Sequence, residues 1–484
     1  MKEVFSAKDI LDVTGAEILL GDINCKFPSI STDTRTIKPG ELFWALKGER
    51  FNGNDFVLDA LQKGAKGAVV CDTKVLNELD DLSRADNSPL VLYVKDSLRA
   101  LDDFAAFWRK KLGLNVVAIT GSCGKTTTKE LLYLVLSSIW PTEKTKGNFN
   151  NLIGLPLTIF SIPKGTKWAI LELGINQEGE MEKLIQIASP NVGIITQIAP
   201  SHLEGLGTLE KVAKEKGRLF ESIGKDGLCI VNLDNEWIIN ASKRAKAPLV
   251  GYSLYERDFD TRDFESIVRC ISFKPEGFNT LMLFDFDGKR YDFLLPLIGS
   301  SNVQNTLCAA ASSYALGIDP IVILGALSVA KTLPGRLNIQ RISDNFVVID
   351  DTYNANPASM IASLEALSKW AQGNKIAILG DMLELGKEES KLHEQVGRKV
   401  AELGIDFLIT VGKLSKNISL GAREAGLSPN NILHYEEVYQ LLDGLKDLLD
   451  KLIKSNNDSL TILVKASRRL RLERIVEKLL YLAS

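Results

Sequence analysis

The sequence predicts an α/β protein of about three domains. The chain has 484 residues, and compact domains average about 150 residues each. Near the middle, a buried apolar segment, NVVAIT, runs directly into a glycine-containing loop and a helical pattern. In the last third, apolar strand segments alternate with helical patterns, which is typical of a parallel, doubly wound sheet. We place the three domains at residues 1–96, 97–329 and 330–484.

Composition and charge exclude several classes of protein. Hydrophobic residues are 45% and charged residues 25% of the chain, which argues against a disordered tail or a collagen-like repeat. The net charge of −3 gives no bulk attraction for nucleic acid. Three histidines make a His-rich zinc site improbable, and six cysteines without a C-x-x-C pair predict reduced thiols. The N-terminus lacks a signal-peptide core, and no apolar run approaches the ~20 residues of a membrane span, so we expect a soluble, cytoplasmic protein.

The first domain begins with helix signals and continues with short strands. Ser6 and Asp9 resemble a capping box, and Gly15 is a stop signal for that helix. Apolar stretches at 67–71 and 89–94 predict buried strands. The next helix is expected to be capped by Ser97 and to run to about residue 111, because its apolar positions follow a 3.6-residue period.

The middle domain combines buried strands with an alternating segment. Strands are predicted at 168–173, 192–198 and 228–232. The segment FKPEGFNTLMLFDFDGKRYDFLLPL alternates and contains a D-G turn, which predicts an antiparallel hairpin. The helix NVQNTLCAAASSYALG ends at Gly317. In the third domain, strands are predicted at 346–350, 375–379, 407–411 and 461–464.

The strongest functional signal is the loop GSCGKT, Gly121–Thr126. Its glycines let backbone N–H groups approach phosphate oxygens, and the start of the following helix favours negative charge. Lys125 would reach the β and γ phosphates, and the Thr126 hydroxyl would bind Mg²⁺. Ile119 stands where G-x-x-x-x-G-K-[ST] has its first glycine, so the loop is a shortened variant. An ordinary strand-to-helix turn is the alternative, and kinase, ATPase and ligase chemistry all remain open.

Two polar residues at predicted strand ends are candidate metal ligands. Glu172 is the lone carboxylate in the buried strand of WAILELG, and His202 lies in the loop that follows VGIITQIA. Ligands collect at the carboxyl ends of parallel strands, and a buried carboxylate needs a partner. The alternatives are a helix-capping Glu172 and a structural His202. His393 and His434 have no metal-site pattern around them and are interpreted as structural or surface residues.

The segment DDTYNANP, residues 350–357, follows a buried strand and precedes a helix. Its adjacent carboxylates could position a sugar hydroxyl or an amine. Asp, Thr and Asn also favour helix caps and turns, so a capping cluster is the alternative interpretation.

Taken together and in this order, the motifs resemble the Mur ligases, the ATP-dependent amide-forming ligases of peptidoglycan precursor synthesis. The resemblance spans essentially the whole chain. Its marks are STDTR, GELFWALKGERFNGNDF, AITGSCGKTTTKE, KGNFNNLIGLPLT, LELGINQEGEM, APSHLEGLGTLEKVAKEKGRLF, SSNVQNTLCAAA, LPGRLN, DDTYNANPASM and ILGDMLELG. The segment KASRRLRLE departs from the family pattern K-G-S-R in one respect, because Ala466 stands where the family has glycine. The difference affects only the local backbone, since glycine is needed where φ is positive.

The resemblance implies a small α/β domain that binds a uridine nucleotide, a central P-loop ATPase-like domain with a mostly parallel sheet, and a C-terminal Rossmann-like domain for the amino substrate. It implies that ATP is bound by Gly121, Ser122, Cys123, Gly124, Lys125, Thr126, Thr127, Asn305, Arg336 and Asp351. Within this set, Asn305 would contact the adenine, Asp351 the ribose and Arg336 the phosphates. The alternative for Arg336 is a linker salt bridge.

The resemblance also implies a metal site and substrate sites. Its catalytic residues would be Lys125, Glu172, His202 and Lys216. Thr126 and Glu172 would bind one Mg²⁺ that bridges the β and γ phosphates, His202 would help to bind a second Mg²⁺, and Lys216 would serve the metal site. Lys216 matches a lysine that is carbamylated by CO₂, although the sequence alone shows one lysine on a charged helix. The uridine diphosphate would contact Ser31, Thr34 and Arg35; the acyl substrate Asn148, Asn150 and Asn151; and the dipeptide Asn354, Asn356 and Pro357.

The N-F-N-N-x-I-G-x-P and D-x-Y-N-A-N-P strings favour the family member that joins D-alanyl-D-alanine to UDP-N-acetylmuramoyl-tripeptide through an acyl phosphate. No protein nucleophile is needed for that reaction. The implied partners are small molecules, with no nucleic acid or membrane insertion, and we expect a monomer. A tripeptide-forming sibling, folylpolyglutamate synthase and a P-loop regulator without ligase activity are the alternatives.

Overall fold

The computed structural model describes residues 4–48, 51–78, 88–255, 263–454 and 459–483. Glu49 and Arg50, within the GELFWALKGERFNGNDF string, therefore lie outside the described residues. The chain divides into two compact units, the first formed by 1–119, 139–175 and 179–193, and the second by 120–138, 176–178 and 194–484. The domain boundaries expected after residues 96 and 329 stay predictions.

Strands and helices alternate along most of the described chain. The strands are β1 (Phe5–Ser6), β2 (Glu17–Leu20), β3 (Lys26–Phe27), β4 (Ile30–Ser31), β5 (Leu42–Trp44), β6 (Gly67–Val70), β7 (Leu90–Tyr93), β8 (Asn115–Thr120), β9 (Thr142–Lys144), β10 (Trp168–Glu172), β11 (Val192–Ile195), β12 (Leu228–Asn232), β13 (Leu249–Ser253), β14 (Phe264–Glu276), β15 (Asn279–Phe286), β16 (Lys289–Leu295), β17 (Asn338–Ser343), β18 (Phe346–Asp350), β19 (Asn374–Gly380), β20 (Phe407–Val411), β21 (Ile432–Tyr435) and β22 (Leu460–Lys465). The helices are α1 (Ala7–Thr14), α2 (Val57–Gln62), α3 (Ser97–Lys111), α4 (Lys125–Ser137), α5 (Gly154–Ser161), α6 (Glu180–Ala188), α7 (Leu203–Leu206), α8 (Leu209–Ser222), α9 (Glu236–Ser242), α10 (Ser300–Ala315), α11 (Pro320–Leu327), α12 (Pro357–Trp370), α13 (Glu389–Glu402), α14 (Lys416–Glu424), α15 (Val438–Lys454) and α16 (Glu473–Ala483). The α/β class predicted from the sequence is confirmed.

The first unit contains a five-stranded sheet in the order β2-β7-β6-β5-β4. Strands β4 to β7 are parallel, and β2 joins the edge antiparallel. Beside it, β10 pairs in parallel with β8 and with β9. Buried aromatic side chains from separate elements share one core, with the Phe5 and Trp108 rings 4.2 Å apart. Burying such rings is the main apolar contribution to this unit.

Helix caps in the first unit partly follow the sequence signals. The Ser6 hydroxyl accepts from the Asp9 N–H and caps α1, and Gly15 ends it at φ 63°. The cap expected at Ser97 is wrong by one residue: the Asp96 carboxylate accepts from the N–H groups of Leu98 and Arg99. Ser97 is instead buried, and its carbonyl accepts from Trp44 Nε1 at 2.8 Å. The first backbone N–H groups of a helix have no partner within the helix. Here the carboxylate accepts from two of them, whereas a capping hydroxyl usually accepts from one.

The second unit contains the strand run β12-β13-β14-β15-β16. The first three strands are parallel and the last three antiparallel. The hairpin expected from FKPEGFNTLMLFDFDGKRYDFLLPL is therefore a three-stranded meander, because Gly277 supplies a second turn at φ 58°. A single D-G signal marked only the turn between β15 and β16.

The C-terminal sheet of the second unit has the order β17-β18-β22-β19-β20-β21. Its strands are parallel except β17, which pairs antiparallel with β18. Val347 and Ile349 pack with α12, α13 and α14, whereas Val348 packs with α15 and α16. Apolar residues on both faces require helices on both sides, so the doubly wound prediction is confirmed. Strands β17 and β21 were not predicted.

None of the helices in the described ranges combines the length and apolar character needed to cross a bilayer.

Candidate active site

The phosphate loop connects β8 to α4 and contains two glycines in conformations that other residues rarely adopt. Gly121 has φ 150° and Gly124 has φ 83°. A Cβ added at Gly121 would overlap Thr196 Oγ1, and one at Gly124 would overlap Asn305 Oδ1. Glycine is therefore required at both positions by close approach as well as by dihedral angle.

The segment after β11 braces this loop through hydrogen bonds. Ser122 N–H donates to Gln197 O at 2.7 Å, and Ser122 Oγ donates to Ala199 O at 2.8 Å. The Thr196 hydroxyl donates to the Cys123 carbonyl. Thr196 and Ser201, whose hydroxyl donates to Ser122 Oγ at 2.9 Å, were missed by sequence reasoning. The only available signal was their position after a buried strand.

Cationic groups lie beside the first turn of α4. Lys125 Nζ donates to Gly121 O at 2.6 Å, so its ammonium lies over the loop. Arg336 donates to Thr126 Oγ1 at 3.1 Å, and its guanidinium lies 4.1 Å from the centre of the Tyr353 ring. Together with the N-terminus of α4, these groups form a strongly anion-attracting surface. The linker salt bridge considered for Arg336 is not the contact that the structure shows.

A cavity of about 340 Å³ opens next to the same turn. One side is formed by positions 127, 130, 131 and 134 of α4, which share a helix face. The opposite side includes Asn302, Val329 and Arg336. Its mostly apolar wall with a few polar groups is typical of a small-molecule site.

Lys216 on α8 is fully buried, with 0% of its surface exposed. Within the described residues its Nζ has no hydrogen-bond partner. Burial lowers the pKa of this amine well below its usual range, and the charge of Lys125 lowers it further. Lys216 is therefore a buried amine whose charged form is disfavoured by desolvation and by Lys125 of the phosphate loop, and no pattern in the sequence predicts this placement.

Glu172 ends β10 and is 3% exposed. In the sheet register it lies opposite Ile119 of β8, two residues before Gly121 in the chain. Asn150 Nδ2 donates to Glu172 Oε1 at 3.0 Å, so a predicted substrate residue holds the carboxylate. Asn151 Oδ1 accepts from Gly154 N–H at 2.8 Å at the start of α5, whereas Asn148 is exposed. The metal-ligand role of Glu172 stays a prediction.

His202 lies in the loop after β11 and contacts the loop after β19. Its Nδ1 lies 2.7 Å from Glu384 Oε2, and the hydrogen bond from His202 lowers the pKa of Glu384. His393 is buried and accepts from the Met382 N–H through Nε2 at 2.9 Å. His434 contacts the Thr410 hydroxyl at 2.9 Å. His393 on α13 and His434 in β21 thus make structural contacts around the C-terminal sheet.

The DDTYNANP segment is bound tightly into the protein. Asp351 Oδ2 accepts from Lys465 Nζ at 2.6 Å, and its Oδ1 accepts from the Leu337 N–H at 3.0 Å. Asn356 caps α12 in a capping box with Ser359. The capping interpretation of this cluster is therefore present in the structure. Lys465 Nζ also donates to the Asn354 carbonyl at 3.0 Å.

Two predicted site residues, one from DDTYNANP and one from α10, contact the phosphate loop or its helix. Asn356 Nδ2 donates to Cys123 Sγ at 3.2 Å. Asn305 Oδ1 accepts from the Thr128 hydroxyl at 3.3 Å and lies against Gly124, so it supports the loop directly. The roles of Asn305 at adenine and Asp351 at ribose stay predictions. Ala466 does not have a positive φ, so the departure from the family pattern there introduces no backbone strain.

The STDTR segment is a partly exposed turn in the first unit, and Arg35 is its exposed residue. Arg35 forms a fork with Asp33, with Nε–Oδ1 2.9 Å and Nη2–Oδ2 2.7 Å. These hydrogen bonds lower the pKa of Asp33 to about 2. Ser31 Oγ contacts the Asp33 backbone, and the Thr34 carbonyl accepts from Lys63 Nζ at 3.2 Å.

Across the described residues, no group of three or more His, Cys, Asp and Glu side chains is placed to hold a metal ion. Only two of the four metal ligands expected from the sequence, Glu172 and His202, belong to these residue types, because the other two are a threonine and a lysine. The expected set is therefore not a cluster of this kind.

Three family models match consecutive parts of the chain. The Mur ligase family catalytic domain matches residues 26–109, the Mur ligase middle domain 119–313, and the Mur ligase glutamate ligase domain 335–468. The chain is 35% identical to the UDP-N-acetylmuramoyl-tripeptide–D-alanyl-D-alanine ligase of Bacillus subtilis, over 93% of each chain.

Solved structures extend this similarity to the whole fold. A crystal structure of MurF from Acinetobacter baumannii superposes with a TM-score of 0.87, at 29% identity and 99% coverage of both chains. MurF ligase from Thermotoga maritima in complex with ADP has a TM-score of 0.79, at 25% identity, covering 94% of this chain and 97% of that one.

Proposed function

The chain belongs to the Mur ligase family, and we propose that it is the member that joins D-alanyl-D-alanine to UDP-N-acetylmuramoyl-tripeptide at the expense of ATP. The product would be the UDP-N-acetylmuramoyl-pentapeptide. One observation carries this assignment: the similarity to a ligase of that name extends over 93% of both chains. The glycine loop and the cations beside α4 are the parts that such an ATP-dependent reaction needs.

In this reaction the phosphate loop binds the triphosphate. Backbone N–H groups between Gly121 and Thr126 would donate hydrogen bonds to phosphate oxygens, and Lys125 would exchange its bond to Gly121 O for contacts with the β and γ phosphates. Arg336 would add a second cation. The cavity beside α4 is suited to the nucleoside, because one wall is apolar and it adjoins Thr127 and Arg336.

The donor groups present fit Mg²⁺. Lys216 supplies the supporting observation: its Nζ is buried without a hydrogen-bond partner among the described residues, and burial lowers its pKa, which favours the uncharged amine that reacts with CO₂. The resulting carbamate would offer anionic oxygens. We assign Thr126 and Glu172 to one Mg²⁺ and His202 to a second, with the carbamylated Lys216 serving the metal site. When bound, Mg²⁺ would neutralise charge on the phosphoryl group in transfer.

The two chemical steps need no protein nucleophile. The tripeptide carboxylate attacks the γ-phosphate, which forms the acyl phosphate and releases ADP. The amine of D-alanyl-D-alanine then attacks the acyl carbon, and inorganic phosphate leaves. Lys125 and Arg336 act by orienting the phosphates and stabilising their charge, which is the main catalytic task in phosphoryl transfer.

The remaining predicted residues are assigned to substrates. We place the uridine diphosphate at Ser31, Thr34 and Arg35, the acyl substrate at Asn148, Asn150 and Asn151, and the dipeptide at Asn354 and Asn356. Asn150 has a double role in this scheme, since it also holds Glu172. We also propose that the protein works as a monomer in the cytoplasm, where ATP and the peptidoglycan precursors are available.

Mass spectrometry of the product tests the assignment. The purified chain is incubated with ATP, Mg²⁺, UDP-N-acetylmuramoyl-tripeptide and one acceptor from D-alanyl-D-alanine, lysine, diaminopimelate or glutamate. We expect the pentapeptide mass and ADP only with the dipeptide. Product with a single amino acid would assign a tripeptide-forming or glutamate-adding ligase, and ATP turnover indifferent to the muramoyl peptide would contradict ligation.

A further inference from the structure

The loop after β19, ILGDMLELG, belongs to the motifs that the proposed chemistry leaves without a role. Glu384 in this loop lies 2.7 Å from His202 Nδ1. Its side chain is 57% exposed, whereas that of His202 is 25% exposed. His202 lies in the segment matched by the middle-domain model and Glu384 in the segment matched by the third model, so two parts of the family architecture meet at this bond.

The backbone at both residues is held in an unusual conformation. His202 has φ 52° and Glu384 has φ 64°, and they are two of six non-glycine residues with positive φ in the described chain. A second contact joins the loops, because the Glu204 N–H donates to the Glu384 carbonyl at 3.4 Å. Non-glycine residues keep this conformation where the surroundings impose it, and such residues concentrate at functional sites.

The chemistry of imidazole gives this contact a specific consequence. A carboxylate at Nδ1 favours the tautomer in which Nδ1 carries the proton, so Nε2 presents its lone pair. Histidines that bind metals commonly donate their other ring N–H to a carboxylate in this way, and that partner fixes the ring orientation. Mg²⁺ prefers oxygen ligands, so an imidazole that assists it has to be held in place.

We propose that Glu384 is a positioning residue for His202: it holds the ring in the Nδ1–H tautomer and directs Nε2 towards the metal and phosphate site. The proposal rests on the proposed function in its use of a metal site. It assigns to the ILGDMLELG loop a share in that site, although Glu384 itself touches neither metal nor substrate.

Histidine NMR tests the tautomer. The chain has three histidines, so protein labelled with ¹⁵N-histidine gives three imidazole spin systems. His202→Asn identifies the signals of His202. We expect the signals of His202 to show the Nδ1–H tautomer in the wild type. In Glu384→Ala, those signals alone should shift towards the Nε2–H tautomer, and in Glu384→Gln the shift should be smaller. The matched control is Glu388→Gln, two residues beyond that loop and directly before α13, where the carboxylate is 60% exposed and pairs with Lys391.

Metal binding is measured on the same proteins by titrating Mn²⁺ in the presence of ADP and following free Mn²⁺ by EPR. We expect Glu384→Ala to weaken Mn²⁺ binding about 10–100-fold and Glu388→Gln to leave it unchanged. Unchanged His202 signals or unchanged Mn²⁺ affinity in Glu384→Ala would each overturn the proposal. Absence of pentapeptide product from the wild type, with Glu384-dependent Mn²⁺ binding intact, would instead refute the proposed function alone.

Discussion

The phosphate loop and the STDTR turn are both candidate anion sites, but they are built in opposite ways. Thr196 and Asn305 lie so close to Gly121 and Gly124 that no side chain fits there. The STDTR turn is only partly buried, and its cation, Arg35, has a side chain that is 86% exposed and already paired with Asp33. The first site is preorganised by buried contacts, whereas the second has to exchange an internal ion pair for its ligand. Changes in the first should therefore affect catalysis strongly, and changes in the second should affect mainly binding.

The largest effect is expected for Lys125→Ala. Removing the ammonium leaves the transferred phosphoryl charge without its nearest protein cation, so kcat should fall by at least about 10³-fold. The fold should remain, because the hydrogen bond from Lys125 Nζ to Gly121 O lies within the loop itself and joins no distant element. ADP release and the thermal midpoint are measured together. Ligation near the wild-type rate would contradict the phosphate-loop assignment.

Lys216→Ala should have the next largest effect, about 10²–10³-fold in kcat. If Lys216 acts as a carbamate, short-chain carboxylic acids should partly restore the rate by supplying an oxygen anion in the vacated space. Lys214→Ala on the exposed side of the same helix is the matched control. The pKa of Lys216 is lowered, so the neutral amine is favoured in the folded protein and its reaction with CO₂ should continue at a pH below that needed by a surface lysine. Full activity in Lys216→Ala would remove this role.

Gly121→Ala separates close packing from backbone conformation. The new Cβ overlaps Thr196 Oγ1, so ATP affinity should fall by about 10–100-fold, equivalent to 1.4 kcal/mol for each factor of ten. Combining it with Thr196→Ala removes the overlapping atom and should recover part of the loss. Gly113→Ala, at φ 67° with open space around it, is the control for backbone strain alone. Additive losses in the double variant would show that packing against Thr196 does not limit this loop.

The smallest effect is expected for Arg35→Ala. The KM for the uridine substrate should rise about 10-fold or less, with kcat unchanged, since an exposed cation contributes uniform binding. The pKa of Asp33 is about 2, so the pair stays ionised until the pH falls through that value, and the effect should not vary across ordinary assay pH. Arg99→Ala, another exposed arginine beside an aspartate, serves as the control. A large fall in kcat would show that the turn is part of the reacting centre.

The structural features that the sequence predicts are those that depend on residues close together in the chain. The strand-loop-helix of the phosphate site depends on a contiguous apolar run, two glycines and a helix pattern, all within residues 115–137. The Ser6 cap and the strands of the C-terminal sheet, which alternate with helices along the chain, also depend on residues close together in the sequence. The Ser97 cap was misplaced by one residue because Asp96 and Ser97 are both good caps, and burial of Ser97 beside Trp44 decided between them. Strand β17 has little apolar pattern because it forms an edge.

Local chemistry therefore encoded the α/β elements, the phosphate loop and most of the candidate residues, because each depends on neighbours a few positions away. Folding alone brought Thr196 against Gly121, set Glu384 beside His202 and joined Lys465 to Asp351. It also removed Lys216 from water, which lowers the pKa of an otherwise ordinary helical lysine. These are contacts between residues distant in the chain, and burial and charge at such contacts depend on the packed surroundings rather than on any sequence pattern.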